Sequence, residues 1–397
     1  MIGLNTFINS DFLYKPGKEL SKLFLAGIAR GAAISFLSFF SSVYIYQLFI
    51  EKGYGQQKAI YIIILFHLLI VILKQVFLGI SENLSQKIGF TGTIRLSLIP
   101  FIILILSLVF SERYAYFIHL AGISWGIHAG LFWWGYHGYF IKIADSAKFG
   151  EGIGESEMLK TAVTIIAPLV GAVIIDLFGF QIAFVLSGLS MILGVFILGN
   201  DKNIKQKHDV KFFDAIKLLA AHKDVAIAYM ASGAEGLIYV IVWSLFLYFF
   251  FDGVLGMGFV VSLALFLSAI FAIFIGKKID KSAERNVLSL GSPLFSISWM
   301  IRVFSGSPFS FILSDALRNF SEKMVSLPLL GLSYKKGAEG LTSEAILFRE
   351  IAIGIGAFMA LVIIFIFIFL GIDFRQIFIF TAFLVLLPLI PIFSRKI

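Results

Sequence analysis

The chain has 397 residues, of which 59% are hydrophobic and 14% charged, whereas an ordinary soluble domain carries roughly 25% charge. A mean hydropathy of +0.96 and 45 phenylalanines exclude a water-facing globule and point to a chain whose solvent is lipid. The absence of cysteine excludes disulfides and thiolate metal sites, and the net charge of +8 bears on membrane orientation, not on nucleic acid.

Residues 1–22 are mostly polar, and the block that follows is longer than a signal-peptide core, so no cleavable leader is expected. Apolar blocks then run over about 23–50, 59–80, 93–110, 115–140, 161–177 and 179–198. A polar stretch follows, from Asn200 to Lys223, with six lysines: Lys202, Lys205, Lys207, Lys211, Lys217 and Lys223. Beyond it the same rhythm resumes over about 225–251, 254–275, 287–304, 308–332, 345–370 and 377–393. Polar turns are expected at Ser81–Gly92 and over 141–160. The expected architecture is an all-α integral membrane protein with twelve transmembrane helices. It divides into a six-helix half (1–199), a cytosolic linker (200–223) and a second six-helix half (224–397).

The basic residues orient these spans. With the N-terminus in the cytosol, 22 of the 32 Lys and Arg residues fall in cytosolic segments and four (Lys52, Lys58, Arg113, Arg375) on the other side. The remaining six, Arg30, Lys74, Arg302, Arg318, Lys323 and Arg349, lie inside apolar blocks. This asymmetry predicts a multi-pass protein of the cell membrane with both termini cytosolic.

The two sides repeat one another. Gly79-Ile80-Ser81-Glu82-Asn83, with Gly89 further on, follows the second block; Gly276-Lys277-Lys278-Ile279-Asp280-Lys281, with Arg285 further on, follows the eighth. Ser156-Glu157 before the fifth block is echoed by Ser343-Glu344 before the eleventh. Matching features in matching orientation argue for a parallel duplication.

On these residues the sequence resembles the major facilitator superfamily along essentially its whole length. That family's loop signature is Gly-x-x-x-Asp-Arg-x-Gly-Arg-Arg. Gly276, Asp280, Lys281 and Arg285 follow it in the second half, whereas the first half keeps Gly79 and Gly89 but has Asn83 for the Asp and Leu84 for the Arg. The resemblance implies a conformational latch at this loop, carried by the second copy. Ala167-Pro168-Leu169-Val170-Gly171 is similar to the Gly-Pro-x-x-Gly-Gly motif of many exporters, with Pro168 and Gly171 matching. The resemblance implies a secondary active transporter, not an enzyme, that works by alternating access on a small solute and draws on a proton or ion gradient. It is expected to be monomeric in the bilayer and to need no cofactor, metal or nucleic acid.

Several intramembrane residues are candidates for that work. Asp315, Arg318, Asn319 and Glu322 recur at i, i+3, i+4 and i+7 and so share one helical face, with Lys323 beside it. The face is either a self-neutralised packing stripe or the lining of a polar cavity. Glu235 has no basic residue within four positions, and burial favours the neutral form of a carboxyl, which makes it the first choice for a proton carrier; otherwise it partners Arg318, Lys323 or Arg349. Arg30, Arg349 and Glu350 are further intramembrane charges. The last two are adjacent and are expected to take separate partners. Gly122, Gly126 and Gly130 recur every four residues with Trp134 on the same face, a close-approach surface for another helix. His119, His128 and His137 are too far apart to make a compact metal site, and no zinc, Walker or dinucleotide pattern appears. The competing reading is a membrane interaction or lipid-handling protein that keeps the architecture without coupled transport.

Overall fold

The computed structural model describes residues 17–145, 149–199, 203–205, 212–279 and 284–393. The described residues are helical throughout, joined by short turns. The helices are α1 Lys18–Glu51, α2 Gln56–Leu96, α3 Leu98–Ser111, α4 Phe117–Ile143, α5 Phe149–Phe178 and α6 Phe180–Leu198. After the central linker come α7 Phe212–Ala221, α8 Lys223–Ile238, α9 Ser244–Phe251, α10 Val254–Ile279, α11 Glu284–Phe304, α12 Pro308–Lys336, α13 Thr342–Phe369 and α14 Phe374–Leu384, with a short α15 Ile390–Phe393 at the end.

Nine segments of the described residues are long and apolar enough to cross a membrane. Two of them, Gln56–Ser111 and Pro308–Phe369, each run through two of the blocks expected from sequence, and Phe117–Ile143 is not among the nine. Large apolar side chains face outward along these segments: Phe196, Phe304 and Phe309 are each at least three-quarters exposed. In water that surface would aggregate, whereas in lipid it is the solvated face.

Helix ends follow local chemistry. Gly179 at φ 81° lets α5 turn into α6 with a single intervening residue. Ser307 caps α12 through a reciprocal box with Ser310, and Pro308 opens the helix where a missing N–H costs nothing. Asp373 Oδ1 accepts from Arg375 N at 2.8 Å to start α14.

The turns expected at Ser81–Gly92 and 141–160 are instead largely helical. α2 continues through the first to Leu96 and bends only at Gly89 (φ 72°, ψ 174°), because Ser81, Glu82 and Ser85 are buried against neighbouring helices. α5 starts at Phe149 and takes up most of the second. The central linker carries helix α7, and its Asn203 sits directly on Gly89, accepting from Thr91 Oγ1 at 2.9 Å and donating to the Ile88 carbonyl. Arg95 reaches the Gly199 carbonyl on the same side.

The parts of the chain before and after the linker meet mainly along two helix pairs, α2 with α13 and α5 with α10. Leu169 N on α5 donates to Ser262 Oγ on α10 at 2.9 Å. Each pair joins a helix near the start of one part of the chain to a helix near the end of the other. On α4, Gly122, Gly126 and Gly130 let α2 approach closely. A Cβ at these positions would meet the Phe66 carbonyl oxygen at 2.9 Å, Leu73 Cβ at 2.7 Å and Phe77 Cβ at 2.7 Å. Trp134 follows on the same helix and donates to Ser85 Oγ at 2.9 Å. Gly171 on α5 faces Phe36 and Phe40 of α1, and the Pro168 carbonyl faces Gly258 of α10.

Candidate functional site

Two buried ionic clusters and one cavity collect nearly all of the intramembrane charge. The first cluster lies wholly after the linker. Arg318 on α12 grips Glu235 on α8 in a two-pronged pair, Nε to Oε1 at 2.9 Å and Nη2 to Oε2 at 2.7 Å, and Trp299 Nε1 donates to Glu235 Oε1 at 3.2 Å. Beside it Arg302 on α11 pairs with Asp315 on α12, both side chains fully buried, and the Tyr239 hydroxyl donates to Asp315 Oδ2 at 3.2 Å. Rings surround both guanidiniums. Arg302 lies 4.0 Å from the Trp243 ring and 4.2 Å from Trp299, and Arg318 lies 4.0 Å from Tyr239. Tyr239 and Trp243 bound a π-helical turn between α8 and α9. That turn presents both rings to α11; such wide turns recur at functional positions in helices.

Of the two readings given for Glu235 from sequence, the structure shows the geometry of the second, a partner to Arg318. Asp315, expected within helical reach of Arg318, pairs with Arg302. The face shared by Asp315, Arg318, Asn319 and Glu322 is split between two tasks. Asn319 Oδ1 accepts from Arg318 Nη1 at 3.1 Å, whereas Glu322 turns to the cavity and pairs with Lys323 at 3.5 Å.

The second cluster crosses between the two parts of the chain. Lys74 Nζ on α2 lies 2.6 Å from Glu350 Oε2 on α13, and Gln75 Nε2 donates to the Glu350 carbonyl at 3.1 Å. Arg349 Nη1 donates to His137 Nε2 on α4 at 3.0 Å and also pairs with its neighbour Glu350. With Nε2 accepting, His137 Nδ1 carries the proton and donates to the Tyr334 hydroxyl on α12 at 2.6 Å. Arg349 and Glu350 thus each have a partner on another helix, His137 and Lys74, and pair with each other as well. Their side chains bend toward one another, and both meet His137. Tyr334, Tyr239 and Trp299 were not singled out from sequence; Lys74 and Arg302 stood there only as basic residues inside apolar blocks, and His137 only as one of three spaced histidines. The signal that could have found Lys74 and Arg302 is a basic residue inside an apolar block with no acid at helical spacing, which needs a partner from another helix.

The cavity has a volume of about 180 Å³. Trp133, Tyr136 and Phe140 of α4 form one wall, Ile153 and Ser156 of α5 a second, and Glu322 to Tyr334 of α12 a third, with Arg349 at the edge. It lies toward the ends of α4 and α12 and the start of α5, the end of the bundle where the linker runs. Arg30 on α1 sits behind the α4 wall, its guanidinium 4.5 Å from the Phe132 ring and 4.4 Å from Trp133. His128 is buried, with Nδ1 2.9 Å from the Ser97 carbonyl oxygen. Among the described residues no group of three His, Asp or Glu side chains is placed to hold a metal.

At the opposite end the two parts are joined by polar and ring contacts. Gln47 Nε2 donates to the Tyr248 hydroxyl at 2.9 Å, Gln57 Nε2 to the Ile368 carbonyl at 3.1 Å, and Tyr46 packs against Phe249 with ring centres 4.9 Å apart. Of the latch residues, Asp280 and Lys281 lie outside the described residues. Gly276 lies in α10, Gly79 in α2, and Arg285 Nη2 donates to the Ile392 carbonyl at 2.9 Å.

The sequence matches no family model and no curated protein. The fold is nevertheless similar to solved transporter structures. The POT family transporter PepTSo superposes with a TM-score of 0.70 at 12% identity, covering 96% of this chain and 99% of that one. An auto-inhibited POT family peptide transporter gives 0.70 at 11%, with 96% and 97% covered. The human organic anion transporter MFSD10 (TETRAN) gives 0.71 at 13%, with 94% and 98% covered. The chain thus shares the all-helical, multi-span fold of these three transporter structures.

Proposed function

We propose that the chain is a secondary active transporter that carries a small solute across the cell membrane by alternating access. Its twelve crossings form two parallel six-helix halves, 1–199 and 224–397, and the linker end faces the cytosol, as the distribution of basic residues requires. The supporting observation is that separable contacts join the halves at each end. Gln47–Tyr248 and Gln57–Ile368 lie at one end, Lys74–Glu350 and Arg349–His137–Tyr334 toward the other. Water or solute replaces such polar bonds at modest cost, so rocking of the halves opens one end while the other holds.

Glu350 links this motion to charge. It is held by Lys74 from the first half and by Arg349 from its own. Opening of the cytosolic end removes Lys74, and a proton on the carboxyl then takes the place of its positive charge. Glu235 and Asp315 keep their partners within one half throughout, which favours Glu350 over both as the coupling group. Asp280 and Lys281 retain the proposed latch role beside it. Export is the favoured direction, on the Pro168–Gly171 resemblance alone. One structural neighbour is named a peptide transporter and another an organic anion transporter, so the fold does not select a solute.

The test is proton flux in liposomes holding the purified protein and a trapped pH-sensitive dye, with solute panels added under an imposed pH gradient. Solute-dependent proton movement that is lost in Glu350→Gln and retained in Glu322→Gln is expected. Lipid movement between leaflets without any solute-dependent flux would establish the lipid-handling reading in its place.

A further inference from the structure

The second half shows how this chain treats a buried guanidinium whose work is structural. Arg302 lies between the rings of Trp243 and Trp299 and is neutralised by Asp315. Arg30 has the same aromatic setting, with Phe132 at 4.5 Å and Trp133 at 4.4 Å. Among the described residues, however, it has no carboxylate in contact; its buried Nε has no hydrogen-bond partner, as is also true of Arg302 Nε and Nη1. Glu350, within electrostatic reach of Arg30, is already held by Lys74 and Arg349. Among the described residues three cations, Arg30, Lys74 and Arg349, thus lie near one carboxylate, with Lys74 and Arg349 in contact with it. The other charged pair at the cavity, Glu322 with Lys323, balances itself. A surplus of positive charge within a membrane is costly unless an anion or water meets it.

The surplus lies against the cavity wall. Trp133 packs on Arg30 and lines the cavity, and Arg349 stands at the cavity edge. The remaining lining is largely aromatic: Tyr136, Phe140 and Tyr334. At about 180 Å³ the cavity is smaller than the roughly 300–1,000 Å³ typical of drug-sized ligands.

We propose that the solute is a small organic anion, whose charged group binds Arg349 at the cavity edge, with Arg30 adding positive charge from behind Trp133, and whose planar or apolar body stacks in the ring-lined cavity. This rests on the transport reading above and names its substrate class. The Arg349 guanidinium offers a planar fork of donors that matches carboxylate or phosphate.

The experiment measures the thermal unfolding midpoint of the purified full chain with four probes of one shape: benzoate, phenyl phosphate, benzamide and benzylammonium. The two anions are expected to raise the midpoint in a concentration-dependent way, and the neutral and cationic probes to leave it unchanged. Arg30→Gln is expected to weaken the anion response roughly tenfold through loss of its positive charge behind the cavity wall, with no drop in the midpoint of the empty protein. An equal response to benzamide or benzylammonium, no response to either anion, or an anion response unchanged in Arg30→Gln would overturn the proposal. Should Arg30→Gln fail to fold, the ordering of the four probes on the unmodified chain decides by itself. Liposome flux separates this from the parent reading. Anion binding without flux removes transport and leaves the anion site, and flux of neutral solutes with no anion response does the reverse.

Discussion

Lys74 Nζ and Glu350 Oε2 lie 2.6 Å apart, on helices from opposite sides of the central linker, with Glu350 also bound to Arg349 on its own helix. The pair is a bond between the two parts of the molecule whose strength changes if they move. Lys74→Gln is expected to shift the balance toward the state open at the linker end by about 1–3 kcal/mol, roughly 5- to 150-fold. The chain has no native cysteine, so introduced pairs report cleanly. Spin labels at Lys142 and Lys335 should move apart in the variant while labels at Tyr54 and Leu370 stay close. Unchanged distances at both ends would show that the pair does not hold the bundle shut.

The Glu235–Arg318 pair is expected to behave differently, as a structural bond within one half. Removing one member leaves the other charged and buried, a loss of about 3–5 kcal/mol. Arg318→Gln should therefore lower the unfolding midpoint strongly, and Glu235→Gln less, because a neutral amide still accepts from Arg318. The double variant Glu235→Leu/Arg318→Leu should recover part of the loss. A double-mutant cycle with coupling near zero would contradict the geometry.

Close packing of α2 on α4 makes a sharper stability prediction. A Cβ on Gly126 would lie 2.7 Å from Leu73 Cβ and 2.8 Å from the Ile70 carbonyl oxygen, so Gly126→Ala forces the helices apart at a cost of about 1–3 kcal/mol. Gly236, also inside a helix, has nothing within 4 Å of the same position. Gly236→Ala should leave the midpoint unchanged or raise it, by up to about 1 kcal/mol. Equal effects of the two substitutions would refute the packing argument.

Membrane orientation can be checked without knowing the solute. An accessibility reporter inserted between Lys52 and Lys58 should be reached from outside the cell, and one after Gly199 only from the cytosol, as the excess of basic residues on the linker side demands. Both reporters on one side would break the proposed alternation of crossings.

Composition and periodicity alone determined that this is an all-helical membrane protein, where its long apolar segments fall, and that a lysine-rich stretch divides it. These follow from local quantities: about 20 apolar residues cross a bilayer, and backbone groups in lipid must be satisfied within the helix. The glycine spacing on α4 was legible for the same reason, since a four-residue repeat defines a face whatever the partner. Which charges meet was decided only by tertiary structure. Sequence offered Glu235 three partners, Arg318, Lys323 and Arg349, without choosing among them, and the helical reach between Asp315 and Arg318 gives way to a nearer guanidinium, Arg302, from α11. Lys74, His137 and Tyr334 carry no motif at all. They become one cluster with Arg349 and Glu350 because α2, α4, α12 and α13 converge there. Inside a membrane a charge is stable only next to its partner, and that partner is chosen by how the helices pack, which no spacing within a single helix records.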